Sequence, residues 1–206
     1  MTETVIGVLA LAAVVFGTSA AAKLRGRAAY AGFVAGLGDS GLITARFLPA
    51  IAAVLAGAEV LIAAGAAATA GYALAGQGPA ATALAGFVLL AGVLLAGALS
   101  AGVAVLIRAG RPARCACFGS ASARPLGVPA LARNLALLVV FAAGFLASVP
   151  GLHDSAIAGS LVALGGGGIT GLLFVHLEDV VDLFGGSPGA GPAWTRVAGS
   201  RERRLG

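Results

Sequence analysis

The sequence has very few charged residues. Only 10% of its 206 residues are Asp, Glu, Lys or Arg, whereas 59% are hydrophobic, and no charge lies between Glu59 and Arg108. Soluble domains carry about 25% charged residues because their surfaces face water. About 20 consecutive apolar residues are enough to cross a bilayer as a helix. The composition therefore excludes an ordinary soluble domain and predicts an integral membrane protein.

Long apolar stretches divide the chain into five predicted spans. The first span has only Glu3 as a charged residue before it, so it lacks the basic start of a signal peptide and is predicted to be a retained anchor. The last contains four glycines in a row, and each costs about 1 kcal/mol in a helix relative to alanine, so a kink or break is expected there. The five segments are residues 5–22, 47–68, 80–107, 128–149 and 155–176.

These segments predict an all-α integral membrane protein, a four-helix transmembrane bundle with a fifth, glycine-interrupted transmembrane helix. We assign residues 1–150 to the four-helix domain, 151–184 to the additional segment and 185–206 to a disordered basic tail. With these spans, all 13 Lys and Arg residues fall on one side of the membrane or at its border. The positive-inside rule makes that side cytoplasmic and places the N-terminus outside. The net charge of +5 thus orients the chain and does not indicate nucleic-acid binding.

Only two cysteines occur, Cys115 and Cys117, and a single residue separates them. One interpretation is two small apolar residues at a helix end, and a second is half of a tetrahedral metal site, although no His or Cys is near enough in sequence to complete it. The third is a thiol–disulfide couple. Arginines just upstream, Arg114 among them, supply positive charge that favours the reactive thiolate, and a disulfide across one residue closes a strained ring. We favour the redox couple; no metal, quinone, haem or flavin motif is visible, and no cofactor is predicted.

The stretch CACFGSASARPLGVPALARNLALLVV is similar to a signature of the MauE/DoxX-type redox-associated membrane proteins. Those proteins have Cys-x-Cys-Phe-Gly, a short polar loop, and an Arg-Asn pair that opens the next helix. A lysine that closes the first helix, Lys23, and a glutamate within the second, Glu59, are further similarities, and the likeness covers residues 5–149. The motif positions in this sequence are Cys115, Cys117, Phe118, Gly119, Arg133 and Asn134.

The resemblance implies a four-helix bundle in a bacterial cell membrane, loosely akin to vitamin K epoxide reductase or the DoxX proteins. It also implies a role in maturing the disulfide-rich small subunit of methylamine dehydrogenase, with a thioredoxin-like redox protein or a disulfide-containing client as partner. That client matures outside the cytoplasm, whereas the charge distribution places Cys115 and Cys117 at the cytoplasmic face. A pair that is reachable from both faces, or that draws electrons from a cytoplasmic reductant, would reconcile the two indications.

Three polar residues lie within the predicted spans, and one of them has two interpretations. Glu59 falls at mid-bilayer, where a carboxylate costs about 2.5–3.5 kcal/mol, and it is interpreted either as a proton carrier or as a protonated carboxyl bonded to a neighbouring helix. Arg133 is expected to extend towards the lipid–water boundary, and Asn134 to hydrogen-bond the cysteine segment.

The resulting hypothesis is a membrane thiol–disulfide oxidoreductase. The alternatives are a membrane scaffold or maturation chaperone with incidental cysteines and, with less support, a small-solute transporter.

Overall fold

A computed structural model describes residues 2–75, 79–110, 127–150 and 157–177. Throughout these ranges the regular structure is helical, with no strand. The helices are α1 (Thr2–Leu24), α2 (Arg27–Asp39), α3 (Leu48–Ala75), α4 (Pro79–Arg108), α5 (Val128–Ser148) and α6 (Ile157–Val175), and a 3-10 turn (Ala45–Phe47) precedes α3.

Five of these helices are long and apolar enough to cross a membrane, namely all except α2. The shortest, α6, has 19 residues, which at 1.5 Å per residue extend about 28 Å, close to the thickness of a hydrocarbon core. The predicted all-α class and the five spans are therefore confirmed.

The thirteen-residue helix α2 was not predicted. It falls in the first basic connection, and only Phe33 among its residues is buried. The rest is mostly alanine and glycine, so the segment has neither the length of a span nor a wide apolar stripe that would identify a surface helix. Its four alanines favour a helix and its three glycines oppose one, so the packing of Phe33 against the bundle contributes to a helix where the hydropathy showed only a loop.

Small residues bring neighbouring helices together in antiparallel pairs. A Cβ atom built on Gly65 of α3 would lie 2.8 Å from Val88 Cγ2 of α4, and one on Gly92 of α4 would lie 3.4 Å from the ring of Phe141. That ring stacks on Phe16 of α1, with 5.4 Å between centroids. In lipid, close backbone approach is a main source of helix association, so these glycines mark the interior faces of the bundle.

The fifth span packs against the first and runs parallel to it, as an odd number of spans permits. A Cβ on Gly167 would overlap the carbonyl oxygen of Gly7, and one on Gly171 would lie 3.0 Å from Val14 Cβ. The helix continues without interruption through residues 165–168, so the expected break does not occur. The glycine run instead includes Gly167, whose lack of a side chain allows the backbones of α6 and α1 to come into contact.

The alternation of spans places the ends of α1 and α4 and the starts of α3 and α5 at one end of the bundle, which we call the basic end. Its exposed arginines are Arg25, Arg27, Arg46 and Arg108. Two of the cations that the sequence assigned to basic loops or their borders are instead buried. Lys23 is 2% exposed and Arg133 is 9% exposed, so neither contributes free charge to a connection.

The chain divides into two compact units, Met1–Val175 and His176–Gly206. The first contains all the described helices, whereas only residues 176 and 177 of the second are described. The domain boundaries after residues 150 and 184 stay predictions.

Candidate functional site

In the sequence, the cysteine stretch connects the end of α4 to the start of α5, and both of these helix ends belong to the basic end. Helix α4 ends at Arg108 and helix α5 begins at Val128, with Pro129 in its first turn, where a missing N–H costs nothing. The predicted site residues within the intervening stretch fall outside the described residues. These are Arg114, Cys115, Cys117, Phe118 and Gly119.

The Arg-Asn pair lies in the second turn of α5. Arg133 shares the buried face of this helix with Leu137 and Phe141, at spacings of four residues that bring side chains onto one side. Arg133 is only 9% exposed, so its side chain packs within the bundle, and its expected reach towards the lipid–water boundary stays a prediction. Asn134 is half-buried next to it. Its expected hydrogen bond to the cysteine segment stays a prediction.

Glu59 forms a buried ion pair with Lys23 of α1. The Lys23 Nζ atom lies 2.6 Å from Glu59 Oε1 and 2.7 Å from Oε2, so both carboxylate oxygens accept from one ammonium group. Lys23 also donates to the Ser19 hydroxyl at 2.7 Å, and that hydroxyl donates to Glu59 Oε1 at 3.1 Å. The three residues, which we call the Ser-Lys-Glu cluster, join α1 to α3.

This cluster lies well inside the bundle. Glu59 is eleven residues after the first residue of α3, about 16 Å along that helix, and it is only 4% exposed. Ser19 and Lys23 are each 2% exposed. An ammonium group has three protons, and Lys23 makes three hydrogen bonds within the cluster. Such close pairing offsets part of the large cost of taking both charges out of water.

An aromatic side chain covers the ammonium group from α2. The Phe33 ring centroid lies 4.9 Å from Lys23 Nζ, within the range of a cation–π interaction. Tyr30 packs against Phe33 with 6.5 Å between ring centroids. Phe33, the single buried residue of α2, therefore packs against the ion pair that joins α1 to α3.

The geometry favours a structural over a nucleophilic role for Ser19. A lysine accepts a proton from a serine hydroxyl only when it is neutral, and here the ammonium group bonds both oxygens of a carboxylate. Glu59 thus bonds to a neighbouring helix, as one of its two interpretations requires. Its partner there is a cation. The proton-carrier interpretation stays a prediction. No group of three or more potential metal ligands occurs in the part of the chain that the structure describes.

The sequence named two members of this cluster without pairing them. Lys23 was counted as a cation at the end of the first helix or in the loop after it, and Glu59 as an acid without a named partner. Ser19 and Phe33 were missed. One signal was present, because Ser19 and Lys23 are four residues apart and so share a face of any helix that contains both. Nothing in the sequence places Glu59 opposite that face.

A family comparison includes both this cluster and the cysteine stretch. The family model described as methylamine utilisation protein MauE matches residues 1–147. This chain belongs to that family. No curated protein and no solved structure matches the chain.

Membership confirms the resemblance noted in the sequence and makes the chain a multi-pass membrane protein associated with methylamine utilisation. The match ends one residue before the last residue of α5, so it covers four spans, the Ser-Lys-Glu cluster and the Arg-Asn pair. Helix α6 lies beyond it. The family match thus covers the first four spans, and the fifth span lies outside it.

Proposed function

We propose that this MauE-family protein is a membrane thiol–disulfide oxidoreductase whose redox couple is Cys115 and Cys117. The observation that carries the proposal is the Cys-x-Cys pair within the family match, in the connection between two membrane helices, α4 and α5. Arg108 at the end of α4 is exposed beside this connection, and Arg111 and Arg114 follow in sequence. Their charge stabilises a thiolate, the form of cysteine that attacks a disulfide.

The exchange conserves atoms and electrons. When the Cys115–Cys117 disulfide oxidises a client dithiol, a client thiolate attacks one sulfur and releases the other as a thiolate. The second client thiolate then attacks the client sulfur of the mixed disulfide and releases the protein's second thiolate. The client gives up two electrons and two protons, and Cys115 and Cys117 gain them as two thiols. The reverse steps reduce a client disulfide.

The partners that this chemistry implies are a thioredoxin-like protein and a disulfide-containing client, such as the methylamine dehydrogenase small subunit that the family resemblance suggests. We place the cysteine pair and the C-terminus on the cytoplasmic side of a bacterial cell membrane and the N-terminus outside. The exposed arginines of the basic end support this orientation, since the positive-inside rule counts cations near the ends of spans. Lys23 and Arg133 no longer count among them.

We expect the two cysteines to form a reversible intramolecular disulfide. The purified full-length protein in lipid nanodiscs would be equilibrated across glutathione potentials, trapped with acid and analysed by mass spectrometry. The oxidised fraction should follow a two-electron curve, with a tenfold change in ratio per about 30 mV. Cys115→Ser and Cys117→Ser should each abolish the transition, while Ser120→Ala should leave it unchanged. A pair that never bonds to itself or to a client across this range contradicts the proposal.

A cell assay separates this function from that of a membrane scaffold or maturation chaperone. In a strain that depends on this protein to mature a disulfide-rich client, the Cys115→Ser/Cys117→Ser variant should leave the client reduced or degraded. A variant that matures the client normally, at equal abundance, would show that the cysteines are incidental and that the bundle acts as a scaffold.

A further inference from the structure

We propose that α2 is a movable cover, held closed on the bundle by a cation–π latch between Phe33 and Lys23. The proposal concerns the Ser-Lys-Glu cluster and does not depend on the thiol chemistry. The latch consists of the Phe33 ring on α2, the Lys23 ammonium group beneath it, and the two residues that hold that ammonium in place, Ser19 and Glu59.

Phe33 is the most deeply buried side chain of α2, whereas Tyr30, Val34 and Leu37 are half-buried. Phe33 is 6% exposed and is the only buried residue of this helix. The outer face, which includes Ala31 and Gly32, is exposed. At its far end α2 approaches the start of α3, where a Cβ built on Gly38 would lie 3.3 Å from Leu48 Cδ1. A helix with one buried anchor and chain connections at both ends is suited to local opening.

The chemistry of the anchor depends on the sign of the charge. The face of an aromatic ring carries negative electrostatic potential, so it attracts an ammonium group and repels a carboxylate. Lys23 lies beneath the ring, whereas Glu59 approaches the ammonium group from α3. Exchanging the two residues would preserve an ion pair between α1 and α3 but would put a carboxylate on the helix position that faces Phe33. The contact with Phe33 therefore requires the lysine to be on α1, and an ion pair of reversed orientation would not provide it.

Opening of α2 would give water access to the buried charges of Lys23 and Glu59. With α2 closed, Lys23 and Glu59 are almost completely shielded from solvent. Lifting Phe33 away would remove the side chain that covers the ammonium group and would admit water to a charged pair inside the bundle. The cover thus controls the access of water to the Ser-Lys-Glu cluster.

The latch can be tested by measuring the distance between α2 and α3. Spin labels would be attached at Ala31→Cys and Ala53→Cys, both exposed positions, in full-length protein that also carries Cys115→Ser and Cys117→Ser. Double electron–electron resonance in nanodiscs should give a single narrow distance distribution for the closed cover. Lys23→Arg, which keeps a cation beneath the ring, should retain it, and so should Arg25→Gln, which removes a neighbouring exposed cation.

Two variants should open the cover. Phe33→Leu keeps an apolar side chain but removes the ring, and Lys23→Glu/Glu59→Lys reverses the pair. In each, the open fraction should rise by roughly tenfold or more, as expected for the loss of a desolvated cation–π contact, and the distribution should broaden towards longer distances. A closed distribution in Phe33→Leu overturns the latch, and so does one in the reversed pair. If the reversed pair fails to fold, Phe33→Leu against Lys23→Arg decides the question alone.

Discussion

Lys23→Met is expected to destabilise the bundle by about 3 kcal/mol, because it leaves the Glu59 carboxyl buried without its cation. The change removes the ammonium group that bonds both carboxylate oxygens at 2.6 and 2.7 Å. It keeps an unbranched apolar side chain of similar length, so lost packing contributes little. The measurement is the unfolding free energy of the protein in bicelles or nanodiscs, for example by steric trapping.

The double variant Lys23→Met/Glu59→Met should recover most of this loss. Replacing a whole buried ion pair by apolar residues is often neutral or stabilising, because the desolvation cost of both charges disappears. Arg25→Met is the matched control, since Arg25 is an exposed cation two residues away, and its effect should stay within about 0.5 kcal/mol. A single variant as stable as the native protein, or a double variant less stable than either single one, would contradict the structural role of the pair.

Gly167→Ala is expected to loosen the fifth span from the first, at a cost of about 1–3 kcal/mol. Its added methyl group would overlap the carbonyl oxygen of Gly7 and lie 2.8 Å from the carbonyl carbon. The obstructing atoms belong to the backbone of α1, so no side chain can rotate away, and the two helices must separate. Unfolding free energy and protease resistance of α6 in nanodiscs are the measurements.

The neighbouring Gly166 provides a control for this prediction. A Cβ built on Gly166 meets no atom within 4 Å, and the residue is exposed. Gly166→Ala should therefore be neutral or stabilise α6 by up to about 1 kcal/mol, because alanine has the higher helix propensity. Equal effects from the two substitutions would mean that the parallel contact between α1 and α6 does not depend on Gly167.

The sequence predicted the spans well because span prediction requires only hydropathy and length. Even the glycine-rich α6 was identified, since open backbone in a bilayer is so costly that a helix forms despite poor propensity. The short helix α2 was missed because it lies outside the hydrophobic spans and buries one side chain. The burial of Lys23 was missed for a related reason. Its position at the end of α1 is typical of a loop cation, and only the packing of α2 and α3 around it buries the ammonium group.

The sequence likewise shows some residues of the candidate site but not how they pair. The sequence shows the spacing of Cys115 and Cys117 and the presence of Glu59 in an apolar span. These features identify candidate functional residues but not the residues that they contact. The partner of Glu59 is a lysine 36 residues earlier in the chain. No periodicity links these positions, because the register between two antiparallel helices is set by their packing.

The amino-acid sequence by itself determined the five apolar helices that the described residues form, because an apolar run of about 20 residues satisfies its own backbone in lipid as a helix. The tertiary structure decided which faces of those helices meet. Lipid is as apolar as the core, so hydrophobicity does not tell an inward face from an outward one. The choice depends instead on close backbone contacts such as Gly7 with Gly167, and on the pairing of Lys23 with Glu59 beneath Phe33.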